Sequence, residues 1–354
     1  LTGLLADRRP KRGIIICTRI AEMMLAVAVI WVMWAENLVF ACILLILLAS
    51  QSAFFSPAKY GMVPELVSDR HLSRANGILS LLTNISIICG LGVAGFLLEL
   101  GDQTRFSGPM LVGVVMFVVA GVSLVASIQL PRCPAAQADL QPSVNTFRIY
   151  WQSLRIIRGT PLASATFAWC MFYAVGSLLI TIMPYYKETL GISDLDVSAL
   201  MGSIVVGIAV GGIAAGLGSG DRIRASLVPI GAGGLALTLL ILSMVGTSFG
   251  IVAGLLIVTG CFAGLFVVPI LAILQHAPVP GFRSRCVGTA NFMTFMAMTI
   301  TAVTFAVMAT FIGSDPATWL LISGVLMIAV TGFLLAVRSR LVAVAAPESS
   351  GTIG

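Results

Sequence analysis

Runs of about 20 apolar residues recur from one end of this chain to the other, the length a helix needs to cross a bilayer. Ten can be drawn, at 14–34, 38–55, 75–98, 110–130, 162–185, 197–217, 227–245, 249–274, 287–312 and 318–337. Inside a bilayer a helix pairs its own backbone groups, so each run is expected to be helical. Composition agrees: of 354 residues, 58% are hydrophobic and 10% charged, against roughly 25% charged in a soluble domain. Lipid covers the outside of such a chain, and no single globular core is required. The expected class is an all-α polytopic membrane protein.

The net charge of +6 could mark a nucleic-acid partner. Its placement reads as topology instead, and no nucleic acid is expected. When the connections between apolar runs are assigned alternately to two sides, the side that holds Arg8, Arg9, Lys11 and Arg12 collects nearly all the cations. The other side keeps only Arg105 and Lys187. Acidic residues show no such bias. This is the positive-inside asymmetry, and it puts both ends of the chain in the cytoplasm.

Three stretches between the runs carry information. The opening Gly3-Leu4-Leu5-Ala6-Asp7-Arg8-Arg9-Pro10-Lys11-Arg12 sets one carboxylate beside four cations. From the residues alone it is either a latch that forms and breaks or a plain topogenic basic cluster. Pro57 is expected to end the second long helix near Ser56, because proline removes a backbone donor and disfavours helix just before it. Lys59, Glu65, Asp69, Arg70, His71 and Arg74 would then lie in a connection at the water interface, with Ala75-Asn76-Gly77 opening the next run. Between 131 and 161, Pro131, Pro134 and Pro142 break the only long polar stretch. Residues 147–157 then read as an amphipathic helix, Ile149, Leu154, Ile156 and Ile157 beside Arg148, Arg155 and Arg158, suited to a leaflet surface.

Ser56-Pro57-Ala58-Lys59-Tyr60-Gly61 followed by Ala75-Asn76-Gly77 resembles the loop between the fourth and fifth helices of lysophospholipid transporters, a branch of the major facilitator superfamily. Segment 3–12 resembles the superfamily signature between helices two and three, with Pro10 where the family usually has glycine. The run 264–269 with Leu274-Gln275 after it resembles helix ten of the same transporters. The halves also echo each other: Gly218, Gly220, Asp221, Arg222 and Arg224 repeat the opening pattern, as inverted or parallel repeats do in transporters.

That resemblance implies a major facilitator fold, N-terminally truncated, with about ten of twelve transmembrane helices present. It implies the remainder of an N-terminal bundle at 1–130, a cytoplasmic central loop at 131–161, a six-helix bundle at 162–337 and a cytoplasmic tail at 338–354. The implied activity is secondary transport of lysophospholipid, lysophosphatidylethanolamine in particular, across a bacterial inner membrane toward the cytoplasmic leaflet by alternating access. Membrane lipids and the substrate are the implied partners, with a cytoplasmic acyltransferase, fused or separate. No cofactor or metal is implied. Gly3, Asp7, Arg8 and Arg12, then Pro57, Lys59, Tyr60, Gly61, Glu65, Asn76 and Gly77, and in the second half Asp221 and Arg222, are the implied gating residues.

Candidate cavity residues come from the intramembrane polar groups. Arg19 and Glu22 stand three apart on one helix face. They are either a surface-seeking ion pair or a pair lining a cavity, where they meet a zwitterionic headgroup or couple to a proton. Asn84, Gln275 and Asn291 are either interhelical glue or ligand contacts. Glycine rows at 88–95, 202–220 and 231–234 read as close-packing surfaces.

Enzyme chemistry is not expected. A phospholipid acyltransferase needs His and Asp separated by four residues, whereas His71 and His276 are followed at that spacing by Asn76 and Gly281. No G-x-x-x-x-G-K-[ST] loop is present to bind ATP. Seven scattered cysteines form neither a metal pattern nor a disulfide framework. Two other readings stay open: a proton-coupled multidrug exporter of the same fold, and a membrane anchor for a fused acyltransferase.

Overall fold

The structure is a computed structural model, which describes residues 2–35, 37–68, 71–102, 108–134, 146–158, 160–219, 223–245, 248–276 and 283–345. Among the described residues there are helices and no strands. In chain order they are α1 (Thr2–Arg8), α2 (Lys11–Ala35), α3 (Leu38–Leu66), α4 (Leu72–Asp102), α5 (Gly108–Ile128), α6 (Thr146–Ile157) and α7 (Pro161–Ile182). A 3-10 turn at Met183–Tyr185 leads into α8 (Tyr186–Leu190). Then come α9 (Asp194–Ser219), α10 (Leu227–Val245), α11 (Phe249–His276), α12 (Arg283–Ile312), α13 (Pro316–Ala336) and α14 (Arg338–Ala345).

Among the described residues, nine helices are long and apolar enough to cross a membrane. They hold nine of the ten expected segments to within two residues at the ends, and the tenth, 75–98, lies within the 31-residue α4. The outward surfaces are apolar, as lipid contact requires: Leu38 and Phe311 are each 78% exposed. The chain is a multi-pass membrane protein.

One boundary differs from expectation. α3 does not stop at Pro57 but continues through Pro57 and Pro64 to Leu66. Lys59, Tyr60 and Gly61 therefore sit on a helix and not in a loop. A proline removes one helical hydrogen bond, and transmembrane helices tolerate this where neighbouring helices surround the freed carbonyl. Pro57 and Ala58 are both buried.

The helices group into two compact units that are not continuous in sequence. The first comprises Leu1–Leu66, Ser86–Ser153 and Val279–Gly288. The second comprises Val67–Ile85, Leu154–Pro278 and Thr289–Gly354. Both α4 and α12 thus contribute residues to each unit.

In the first unit α2 packs against α3 and α5, and α1 against α3. Gly113 on α5 makes the α2 contact close, since a Cβ there would stand 3.3 Å from the Ile30 Cα. In the second unit α11 packs on α9, α10 on α11 and α13, and α7 on α13. The α9–α11 contact is backbone to backbone: a Cβ on Gly260 would lie 2.8 Å from the Gly207 Cα. Small residues let dispersion contacts accumulate between helices where lipid removes the hydrophobic drive. Of the expected glycine surfaces, Gly207, Gly211 and Gly231 pack this way, while Gly202 and Gly218 face open space.

The turn from α12 to α13 shows sequence setting local structure. Gly313 takes φ 79°, which favours glycine at a helix C-terminus. Asp315 then caps α13 by accepting from the Thr318 amide at 3.2 Å, with Pro316 opening the helix.

Candidate functional site

A buried polar cluster of the first unit forms where α1, the start of α2, the end of α3 and the start of α12 meet. Asp7 is fully buried. Its Oδ1 accepts the Ser284 amide at 3.1 Å, and its Oδ2 accepts the Arg285 amide at 3.0 Å and Arg285 Nε at 3.2 Å. A carboxylate contributed from 277 residues away therefore caps the N-terminus of α12, where unpaired amides and the helix dipole both favour negative charge. Burial lifts the Asp7 carboxyl above its ordinary value, and the bonds from Ser284 and Arg285 with the Arg285 charge offset only part of that rise.

The cations beside Asp7 in sequence serve other groups. Lys11, 1% exposed, forms an ion pair with Glu65 at the end of α3. Arg12 Nη2 donates to the Ile128 carbonyl at 2.6 Å, capping the C-terminus of α5. Arg8 is half-buried on α1, which also carries Gly3. Gly61 permits the crossing of these elements, because a Cβ there would stand 2.5 Å from Ser284 Oγ and 3.1 Å from Lys11 Cε. Beneath them, Ala6, Ile14, Ile15, Ala58 and Met62 form a small apolar core.

The second unit has its own buried polar contact. Asn76 Nδ2 donates to Gln275 Oε1 at 2.7 Å, joining α4 to α11, and each side chain is 1% exposed. The remaining amide atoms, Asn76 Oδ1 and Gln275 Nε2, have no hydrogen-bond partner among the described residues. Gly77 brings α4 against α9: a Cβ there would lie 2.9 Å from the Gly212 carbonyl oxygen and 3.1 Å from the Gly216 Cα.

Arg19 and Glu22 form an ion pair along α2. The Arg19 guanidinium lies 4.0 Å from the Phe55 ring centroid, a cation–π contact. Lys59 stands 5.9 Å from the Phe55 ring centroid and 5.3 Å from that of Tyr60. Gln51 Nε2 donates to the Thr18 carbonyl at 3.0 Å, which ties α3 to α2. Two cations, one carboxylate and two aromatic rings thus share one α2–α3 face.

The remaining expected residues divide three ways. Asn291 is half-buried on α12. Asn84 lies on α4. Asp221 and Arg222 fall outside the described residues. Gln275 bonds Asn76 on another helix, one of the two roles expected for it. Lys11, Ser284 and Arg285 were not singled out as site residues, since nothing local marks them as partners of Glu65 and Asp7. Among the described residues no group of three or more His, Cys, Asp or Glu could hold a metal.

Among the described residues, nine apolar helices long enough to cross a membrane, with buried polar contacts between helices, define a polytopic α-helical membrane protein. The family model of the Major Facilitator Superfamily matches residues 1–302, and the chain belongs to that superfamily. It is 31% identical over 235 residues to the lysophospholipid transporter LplT of Photorhabdus laumondii, an alignment covering 64% of this chain and 56% of that one. The LplT of Serratia proteamaculans is 28% identical over 230 residues, covering 64% and 55%. The chain therefore spans little more than half the length of these curated relatives. Among solved structures, the E. coli fucose:proton symporter FucP shares the fold at a TM-score of 0.74 with 13% identity, covering 96% of this chain and 86% of that one.

Proposed function

We propose that this chain is part of a secondary transporter for lysophospholipids, moving lysophosphatidylethanolamine toward the cytoplasmic leaflet of a bacterial inner membrane by alternating access. The resemblance to proteins named as lysophospholipid transporters supports the substrate class. The observation that carries the mechanism is the buried Asp7 carboxylate on the first turn of α12. Its partners are hydrogen bonds and one guanidinium, all of which can be exchanged for water. That makes Asp7 a latch on the cytoplasmic side, closed when α12 is capped and open when it is not.

The Lys11–Glu65 pair and Gly61 position α2 and α3 around that latch. The α2–α3 face with Arg19, Glu22, Phe55 and Lys59 supplies charges of both signs beside aromatic surface, which suits a zwitterionic headgroup on a single acyl chain. Asn84 and Asn291, in the second unit, are proposed separately as substrate contacts. An acyltransferase, fused or separate, would consume the delivered lipid, and this chain itself performs no chemistry on it.

Flipping of fluorescent lysophosphatidylethanolamine by the full-length protein in proteoliposomes tests this reading. Dye that becomes protected from a membrane-impermeant quencher reports arrival in the inner leaflet. The expected result is protection that unlabelled lysolipid competes away and that Asp7→Ala abolishes. Protection no greater than in empty vesicles would overturn the lipid reading, and accompanying transport of a lipophilic cation would identify a drug exporter.

A further inference from the structure

The helix α6 has a face that transport as proposed does not use. Its inward positions are Tyr150, Ser153, Leu154 and Ile157, spaced three and four apart, with Ser153 and Ile157 buried at 2% and 4% exposure. The opposite positions, again three and four apart, are Arg148, Trp151, Gln152 and Arg155, all exposed. Trp151 is 49% exposed and Ile156, on the flank, 39%. From Thr146 to Arg158 the segment holds Arg148, Arg155 and Arg158 and no acidic residue.

Its height above the membrane is fixed by the chain. Only 158–160 separate the last residue of α6 from Pro161, the first residue of a membrane-spanning helix. At no more than about 3.6 Å per residue, that link keeps the end of α6 within headgroup reach of the bilayer. An exposed tryptophan at this height belongs in the interfacial zone, and arginine stems can lie along the same surface with their guanidinium groups on lipid phosphates. The positive-inside pattern puts this connection on the cytoplasmic side, where anionic lipids set a negative surface potential.

We propose that α6 is an anionic-lipid-binding helix, whose face of Arg148, Trp151 and Arg155 rests on acidic phospholipid headgroups of the leaflet beside the start of α7. A solvated α6 would carry arginine without an aromatic ring at the level of the headgroups.

The test places an environment-sensitive fluorophore on Gln152→Cys in a cysteine-free version of the full chain. That protein is reconstituted in phosphatidylcholine vesicles with or without about one-third phosphatidylglycerol. The expected result is a blue-shifted emission, quenched by brominated lipid, that requires phosphatidylglycerol and weakens at high salt. Replacing Arg148, Arg155 and Arg158 by Gln should weaken the response by about fivefold per arginine, while the Lys triple variant keeps it. Emission that ignores lipid charge, or that is equal in the Gln and native versions, would overturn the proposal. The readout needs no transport, so it stands or falls apart from the lysophospholipid reading.

Discussion

Asp7 in the first unit and Asn76 in the second each hold a distant helix by buried polar groups, with different chemistry. Asp7 offers a carboxylate to three donors, two of them backbone amides at a helix start. Asn76 offers one amide bond to Gln275 and leaves an acceptor and a donor between them without partners among the described residues. Charge-assisted bonds are individually stronger, but their loss leaves buried charge behind. A neutral single bond is weaker, and its two ends can be removed together at little cost. The first contact is therefore the stiffer and the more sensitive to substitution.

The largest expected effect follows from breaking the charged contact from one side. Asp7→Ala removes the acceptor that two buried amides and Arg285 Nε share, a loss of about 3–5 kcal/mol. Thermal unfolding of the purified protein in detergent measures it, and Asp7→Asn should lose less because it keeps one acceptor. Next comes the neutral contact: Gln275→Leu strands the Asn76 amide at a cost of about 1–3 kcal/mol. Adding Asn76→Leu should recover part of that loss, which a double-mutant cycle reads directly. If the double variant is no better than the sum of the singles, the two side chains are not a unit.

Gly77→Val sharpens the comparison from the packing side. Its Cβ would meet the Gly212 carbonyl oxygen at 2.9 Å, so overpacking by about 1–3 kcal/mol is expected, again in thermal unfolding. The smallest effect is one of pH and belongs to Asp7 alone. Its carboxyl binds a proton more tightly when buried than at the ordinary value of 3.8. The stability contributed by that proton is complete below the ordinary value and is lost as pH rises through the raised one. Acidification from neutral pH should therefore stabilise the native protein relative to Asp7→Asn, which cannot titrate, in paired unfolding curves.

The helices were legible because a bilayer sets their length, and the apolar runs at 14–34 or 227–245 could hardly be anything else. The amphipathic segment at 147–157 was legible from its alternation of Arg with Ile and Leu, and it falls within α6. The end of α3 was not, because a local rule about Pro57 was outweighed by the packing of Ala58 and Met62 under α1 and α2. Nor were the partners. Asp7 lies beside four cations in the chain yet bonds an arginine 278 residues away, and Asn76 bonds a glutamine 199 residues away. Periodicity reports which face of a helix is buried, and it carries nothing about which distant residue arrives there.

Hydrogen exchange at the Ser284 and Arg285 amides, followed by mass spectrometry in the full-length protein, tests the latch most directly. Both amides are bound by Asp7. If Asp7 gates transport, they are protected at rest, and exchange faster in Asp7→Ala and when lysophosphatidylethanolamine drives turnover. Protection that neither the substitution nor the lipid alters would contradict a latch at this position.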